Sequence, residues 1–320
     1  MEENKYNPNG RALSFSTLKN LSYSPGLFRA MLLKKTTSKA LTIGKMIDTM
    51  LLEPEKFEEY YSARKAKVPT GMMLDYTNAY IEKENHNYAY AVSGYKQDRD
   101  MVREKFERDC KEYYEEQKAI NEQKKLFYAE EEYSTVIKVV ESIQQNEKIF
   151  NCFKALEDEE FFGQLEILWE YKGIQLKSIL DILKINHSKK LITIYDLKTT
   201  GDSINNFITS IEKYQYWLQM AMYGLAVLYK FKESIKNIEE YSVEFKWIVE
   251  STKYPGSPII YKMSESDAKK GVEGGKINGV WQKGFQQLID DYIWHTDNNE
   301  WTYKREIIES EFECDISIFN

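Results

Sequence analysis

ILDILKINHSKKLITIYDLKTT, residues 179–200, contains two apolar runs separated by a polar break. Runs of this length, rich in Ile, Leu, Thr and Tyr, read as strands, and Asn186 to Lys190 reads as the turn between them. Asp181 lies inside the first run, and Asp196 and Lys198 end the second with one residue between them. Side chains alternate along a strand, so Asp196 and Lys198 project from the side shared with Ile192 and Ile194. Leu191, Thr193, Tyr195 and Leu197 take the other side. If the strand ending at Ile185 pairs with the one starting at Leu191, Asp181 comes near Asp196. Two neighbouring carboxylates repel unless a cation bridges them, and hard oxygen donors suit Mg2+ or Mn2+. A lysine beside them orients or deprotonates a bound water and stabilises developing negative charge. The pattern points to hydrolysis of phosphodiester bonds, although an Asp-x-Lys tripeptide alone also fits exposed charges at a strand end.

Outward from this stretch, Phe162 to Trp169 and Ile174 to Ile185 read as strands joined by a turn at Lys172-Gly173. A long helix is expected over Ile204 to Lys230. Tyr241 to Val249 alternates as a strand, Pro255-Gly256 turns the chain, and Pro258 to Lys262 is a short strand. A further helix is expected over Val280 to Trp294; the tail from Ile307 carries no clear assignment. Upstream, residues 14–62 read as helices, with Ser14 or Ser16 as an N-cap. Pro25-Gly26 interrupts them, a helix spans about Thr37 to Leu52, and residues 55–62 form a short one. Val68 to Met73 reads as a loop. Residues 74–150 show the helical period, as at Tyr133, Val136, Ile137, Val140 and Ile143, and Lys96 to Lys125 reads as a solvated helical arm. The class is therefore α/β (α+β), a small central mixed sheet flanked by helices. The expected organisation is one domain over 1–320. Its parts are a mainly helical 1–150, a 151–262 part with the sheet and its following helix, and a C-terminal helix and tail over 263–320.

The net charge of −7 argues mildly against a polyanionic partner, but it does not report how charge is distributed. Cys110, Cys152 and Cys314 are far apart without CxxC spacing, as expected of reduced thiols in a cytoplasmic protein. No window reads as a membrane span, and the opening MEENKYNPNG lacks the order of a secretory signal.

Three further features bear on the acidic pair. Gln219 and Tyr223 stand at i and i+4 within KYQYWLQMAMYGLA and share a helical face, which Gln215 extends by one turn. A satisfied core hydrogen bond is the plainer account of that stripe, and an approach to the acids the more consequential one. Gly44 and Asp48 are likewise i and i+4, with Gly44 permitting close approach of another backbone. Asp48 stands among Met46, Ile47, Met50, Leu51 and Leu52, an odd place for an unpaired charge. Glu166, with Glu170 four residues on, is a possible additional acid or an outward-facing strand residue. His86, His187 and His295 read as structural or surface residues.

Taken in order, Asp48, Asp181, Asp196-Leu197-Lys198 and the QxxxY pair Gln219/Tyr223 resemble the PD-(D/E)XK nuclease superfamily, closest to its RecB-like branch. SFSTLKNLSYSP, GKMIDTMLLEPEKF and DLKTTGD are similar to segments of the exodeoxyribonuclease VIII nuclease family and related phage exonucleases, over about residues 12–295. The resemblance implies a restriction-endonuclease-like core with a helical N-terminal region. It implies Asp181, Asp196, the Leu197 carbonyl and Asp48 as ligands of Mg2+ (or Mn2+), Lys198 as the water-activating lysine, and Gln219 and Tyr223 as positioning groups. Asp48 departs from the family, which usually carries histidine there. Three scattered cysteines argue against iron–sulfur relatives, which need four. The implied activity is exonucleolytic digestion of double-stranded DNA ends, 5′ to 3′, in recombination. The implied setting is the cytoplasm of a bacterial or phage-infected cell, with an annealing protein as partner and a homo-oligomer as assembly. The alternatives are a structure-specific or single-strand endonuclease of the same fold, and a non-catalytic DNA-binding or interaction module with a degenerate site. Arg11, Lys19, Lys34, Lys35 and Lys39 are candidate backbone contacts.

Overall fold

The sheet is organised around one long hairpin. In the computed structural model, which describes residues 11–33, 38–123, 125–277 and 279–313, the chain divides into two compact units. Of the described residues, those within 1–52 and 138–320 form one and those within 53–137 the other.

The first unit holds a six-stranded mixed sheet: β1 (Leu13–Ser14), β2 (Glu159–Tyr171), β3 (Ile174–Asn186), β4 (Leu191–Thr200), β5 (Ser242–Ser251) and β6 (Ile259–Lys262). β2 pairs antiparallel with β3 from end to end except at Gln164 and Asp181. On its other edge, β3 pairs with two different strands. The two-residue β1 runs parallel to Leu176-Lys177, and β4 runs antiparallel to Ile182–Asn186. β4 continues to Thr200 alongside β5, in parallel, with Asp196 opposite Trp247 and Lys198 opposite Val249. Residues 196–200 have therefore left β3, and a fork opens between the two pairings. The turn between β2 and β3 places Lys172 and Gly173 at φ +50° and +79°, the left-handed geometry that suits a tight hairpin.

One face of the sheet is closed by α1 (Phe15–Tyr23), α4 (Tyr216–Phe231) and α5 (Phe285–Asn298), with α2 (Lys39–Leu52) lying between α1 and β2 in chain order. α1, α4 and α5 share a core with β-strand residues that include Leu180, Leu183, Ile192, Ile194, Phe245 and Trp247. In β3 the core residues are Ile174, Leu176 and Leu180, then Leu183 and Ile185, so the alternation shifts by one residue around Asp181. In β2 it shifts likewise, from Phe162 to Leu165, Ile167 and Trp169. Between these stands Gln164 at φ +44°, a strained value for a residue with a Cβ.

Several expected elements differ. The long helix over 204–230 is two helices, α3 (Phe207–Tyr214) and α4, because Gln215 adopts φ +57°. Residues 280–282 form a hairpin strand with Gly275–Ile277, and the helix begins only at Phe285. Gly279, at φ +82°, turns that hairpin. Residues 55–62 divide into a 3-10 turn, a helix over Phe57–Tyr60 and the start of a strand. Ser14 precedes α1, but its hydroxyl bonds the Ser16 and Thr17 hydroxyls instead of capping the helix backbone.

The second unit packs helices Met72–Lys83, His86–Ser93, Arg99–Asp109 and Lys111–Gln123 around Tyr76, Ala89, Val102, Phe106 and Cys110. Residues 96–125 are thus not a solvated arm, since one face of their helices forms a core. A two-stranded parallel ladder joins Tyr61–Ala63 to Leu126–Tyr128. The Glu116 carboxylate, buried there, accepts the Lys65 and Ala66 N–H groups at 2.7 and 2.9 Å.

Candidate active site

Asp181 occupies the fork. Ile182 is the last residue of β3 paired to β4, opposite Tyr195, so one step further Asp181 faces Asp196 as the strands part. The carboxylate takes over the ladder there: Asp181 Oδ2 accepts the Leu197 main-chain N–H at 2.7 Å. Its Oδ1 accepts from Gln164 Nε2 at 3.2 Å, so the strained residue of β2 is also the one that holds the acid. Burial and the nearby Asp196 charge push the Asp181 carboxyl up to about 7, against the pull of Lys198 and the two hydrogen bonds.

Asp196 is 2% exposed. Its Oδ1 accepts from Gln219 Nε2 at 3.1 Å, and its Oδ2 contacts the Lys198 ammonium. Burial raises the Asp196 carboxyl and the lysine opposes the rise; burial also pulls the Lys198 ammonium down, but the charges of Asp196 and Asp181 outweigh it and hold the lysine well above its usual range. The lysine also stands 4.9 Å from the Tyr216 ring centroid. Gln219 Nε2 donates a second bond to the Tyr223 hydroxyl at 2.7 Å, which leaves the phenol's own hydrogen to give. Gln219 Oε1 is buried with no hydrogen-bond partner.

Asp48 lies on the helix Lys39–Leu52, which meets the sheet at the end of β4: a Cβ added to Gly44 would lie 3.5 Å from Thr199 Oγ1. That is ordinary contact with a side chain, so Gly44 does not serve a close backbone approach. One turn on, half-buried Asp48 enters the field of Asp181 and Asp196, and burial together with these charges raises its carboxyl well above the usual range.

The structure therefore brings Asp181, Asp196, Lys198, Gln219 and Tyr223 together, with the Leu197 N–H engaged on Asp181 and Asp48 within electrostatic reach of the acids. It does not bring Glu166, which is exposed on the outer face of β2 and pairs with Lys177 at 2.5 Å. Gln215 is absent too: at the junction of α3 and α4 its amide bonds Ser22 Oγ at 2.7 Å. His86 bonds Tyr76, His187 bonds Tyr241 and Glu160, and His295 bonds the Glu300 carbonyl. Cys110 and Cys152 are buried free thiols. Lys34, Lys35 and Cys314 lie outside the described residues, while Arg11 and Lys39 are exposed. Gln164 escaped the sequence reading, because a single glutamine in a strand carries no local signal of its backbone angle.

The donor set suits a hard divalent cation. Asp196 Oδ2 is buried with only the Lys198 ammonium against it, and burial presses three acids toward protonation unless positive charge compensates them. Among the described residues no three His, Cys, Asp or Glu side chains form a closed metal-holding group. Two carboxylates, with Asp48 in their field, leave much of the coordination sphere to backbone oxygen, water and substrate phosphate.

Residues 14–274 match the family described as "PDDEXK-like domain of unknown function (DUF3799)". The chain belongs to this family. The fold agrees. A solved structure described as "Putative exonuclease" from Eubacterium rectale is similar over 98% of this chain and 90% of that one, with a TM-score of 0.50 and 12% identity. No curated protein matches the chain. The PDDEXK-like chain thus has the PD-(D/E)XK nuclease fold, and its family supports a hydrolytic, divalent-metal-using nuclease. Among the described residues, no helix is long and apolar enough to cross a membrane.

Proposed function

We propose that this PDDEXK-like chain is a Mg2+- or Mn2+-dependent deoxyribonuclease that degrades double-stranded DNA from its ends. The observation that carries the reading is the meeting of Asp181 and Asp196 at the strand fork, with Lys198 on the second acid and Gln219–Tyr223 behind it. Asp181, Asp196, the Leu197 carbonyl and Asp48 would hold the cation, which supplies Lewis acidity and a more acidic water. Lys198 Nζ carries a proton while paired with Asp196 and so neutralises charge developing on a phosphate oxygen. Once its proton has passed to solvent, the Lys198 amine would accept a proton from the attacking water and, again an ammonium, balance charge on the phosphate oxygens. Gln219 fixes the Asp196 carboxylate and orients Tyr223, whose remaining hydrogen points the phenol to a phosphate oxygen as donor.

Digestion 5′ to 3′, a 3′ strand handed to an annealing protein, a homo-oligomer around DNA and a recombination role in a bacterial or phage-infected cytoplasm belong to the same reading. Their support is the likeness of DLKTTGD and the opening helices to exodeoxyribonuclease VIII relatives; the "Putative exonuclease" description of the Eubacterium rectale protein bears on exonuclease action alone. The test uses linear duplexes labelled separately at the 5′ and 3′ ends, with Mg2+, Mn2+ or EDTA, beside closed circles. Metal-dependent release of one end label first, with circles intact, supports the reading. Cut circles identify an endonuclease of the same fold, and intact DNA under every metal identifies a binding module.

A further inference from the structure

Beside the acids, cations and rings interleave. Lys19 Nζ of α1 lies 5.5 Å from the centroids of both the Phe15 and Tyr214 rings. Tyr214 and Tyr216 place their rings 5.6 Å apart, and Tyr216 in turn carries Lys198 at 4.9 Å. Lys213 adds a third ammonium 5.3 Å from the Tyr214 ring. The path from Lys198 to Lys19 thus runs across two tyrosines, and Tyr214 remains 39% exposed at its outer end.

Lys19 is the unusual member. It is half-buried, has no carboxylate partner among the described residues, and shares its surroundings with another cation. Burial and then the Lys198 charge draw its ammonium below the usual lysine range. A half-buried lysine kept beside a second lysine is relieved when an anion arrives, and an exposed aromatic ring next to such cations is what an unstacked nucleotide uses.

We propose that Lys19, Tyr214 and Tyr216 form a subsite for the nucleotide adjoining the cleaved phosphate. The Lys19 ammonium takes that nucleotide's phosphate, and the Tyr214 ring stacks on its base. The subsite rests on the nuclease reading for its register with the cleaved bond and deepens it: the strand entering the site is unpaired at this nucleotide, so a frayed end or a single strand is the form bound.

The experiment titrates a short fluorescent oligothymidylate by anisotropy in EDTA and in Ca2+, over a range of salt, against the full chain and four variants. Lys19→Met is expected to weaken binding roughly tenfold and to reduce the salt slope by about 1, with Lys19→Arg restoring both. Tyr214→Ala is expected to weaken binding roughly tenfold, and Tyr214→Phe to leave it near the parent. In steady-state cleavage of the same strand, both weakening variants raise KM while kcat stays within about threefold. Thermal melting checks that each variant is folded. Parental affinity and salt slope in folded Lys19→Met and Tyr214→Ala overturn the subsite, and if the parent cleaves while Lys198→Ala does not, the nuclease reading stands without it. A parent that cleaves nothing overturns the nuclease reading instead, and the binding titrations still decide the subsite.

Discussion

Asp181 faces Asp196 at the point where β3 and β4 part, and it is bonded there to the N–H of the residue that follows Asp196. The acid thereby replaces a main-chain partner at the mouth of a fork. Two carboxylates are held together with one lysine to balance them, and the consequences are measurable.

Replacing that lysine separates chemistry from folding. Lys198→Ala is expected to reduce cleavage by at least about a thousandfold. It also leaves the Asp196 carboxylate buried without its ion pair, at a cost of about 3 kcal/mol without metal. Thermal melting with and without divalent cation checks the second point, because a cation that binds the folded state returns part of the loss.

The pH dependence of the metal-free protein has a definite sign. The folded Asp181 carboxyl titrates near 7, against about 3.9 in an unfolded chain, so folding favours its protonated form. That contribution is complete below the unfolded value and is lost as pH rises through the folded one, over a window from about 4 to about 7. Above that window Asp181→Asn is expected to be more stable than the parent in EDTA by on the order of 2 kcal/mol, while being inactive. Urea melts at acidic and alkaline pH decide it, and an Asn variant that loses stability above neutrality contradicts the assignment.

Asp48 offers control over metal choice. Asp48→His places imidazole where a carboxylate now stands, and imidazole suits transition metals better than Mg2+. The ratio of Mn2+- to Mg2+-supported cleavage is expected to rise about tenfold. An unchanged ratio removes Asp48 from the coordination sphere.

Gln219 and Tyr223 are expected to act as one unit, because a single amide nitrogen bonds both Asp196 and the phenol. Gln219→Ala and Tyr223→Phe are each expected to lower kcat about ten- to a hundredfold, and the double variant hardly more than the worse single one. Independent, multiplying losses in the double-mutant cycle break the link.

Much of this arrangement was readable in the chain. The runs 174–185 and 191–198 kept their apolar pattern because both are buried strands, and the period-two rule put Asp196 and Lys198 on one side. Gln219 and Tyr223 were readable because helical spacing is local. What escaped was set by backbone angles that neighbouring residues do not announce. Gln215, at φ +57°, breaks what reads as a continuous helix and sends its amide to Ser22, 193 residues away. Glu166 has the composition of a site residue but lies beyond the shift in strand alternation, on the outer face. The helices over 99–123 look solvated by composition, yet Val102, Phe106, Cys110 and Tyr114 suffice to give them an inner face.

That shift in alternation at Gln164 and Asp181 divides the β2–β3 hairpin into two pleats with independent phase. The far pleat, ending in the Lys172-Gly173 turn, is anchored by its own apolar side chains, from Ile167 and Trp169 to Ile174 and Leu176. Its length is therefore not geared to the acids: lengthening the hairpin by matched residue pairs at the tip leaves Asp181 in phase with Asp196.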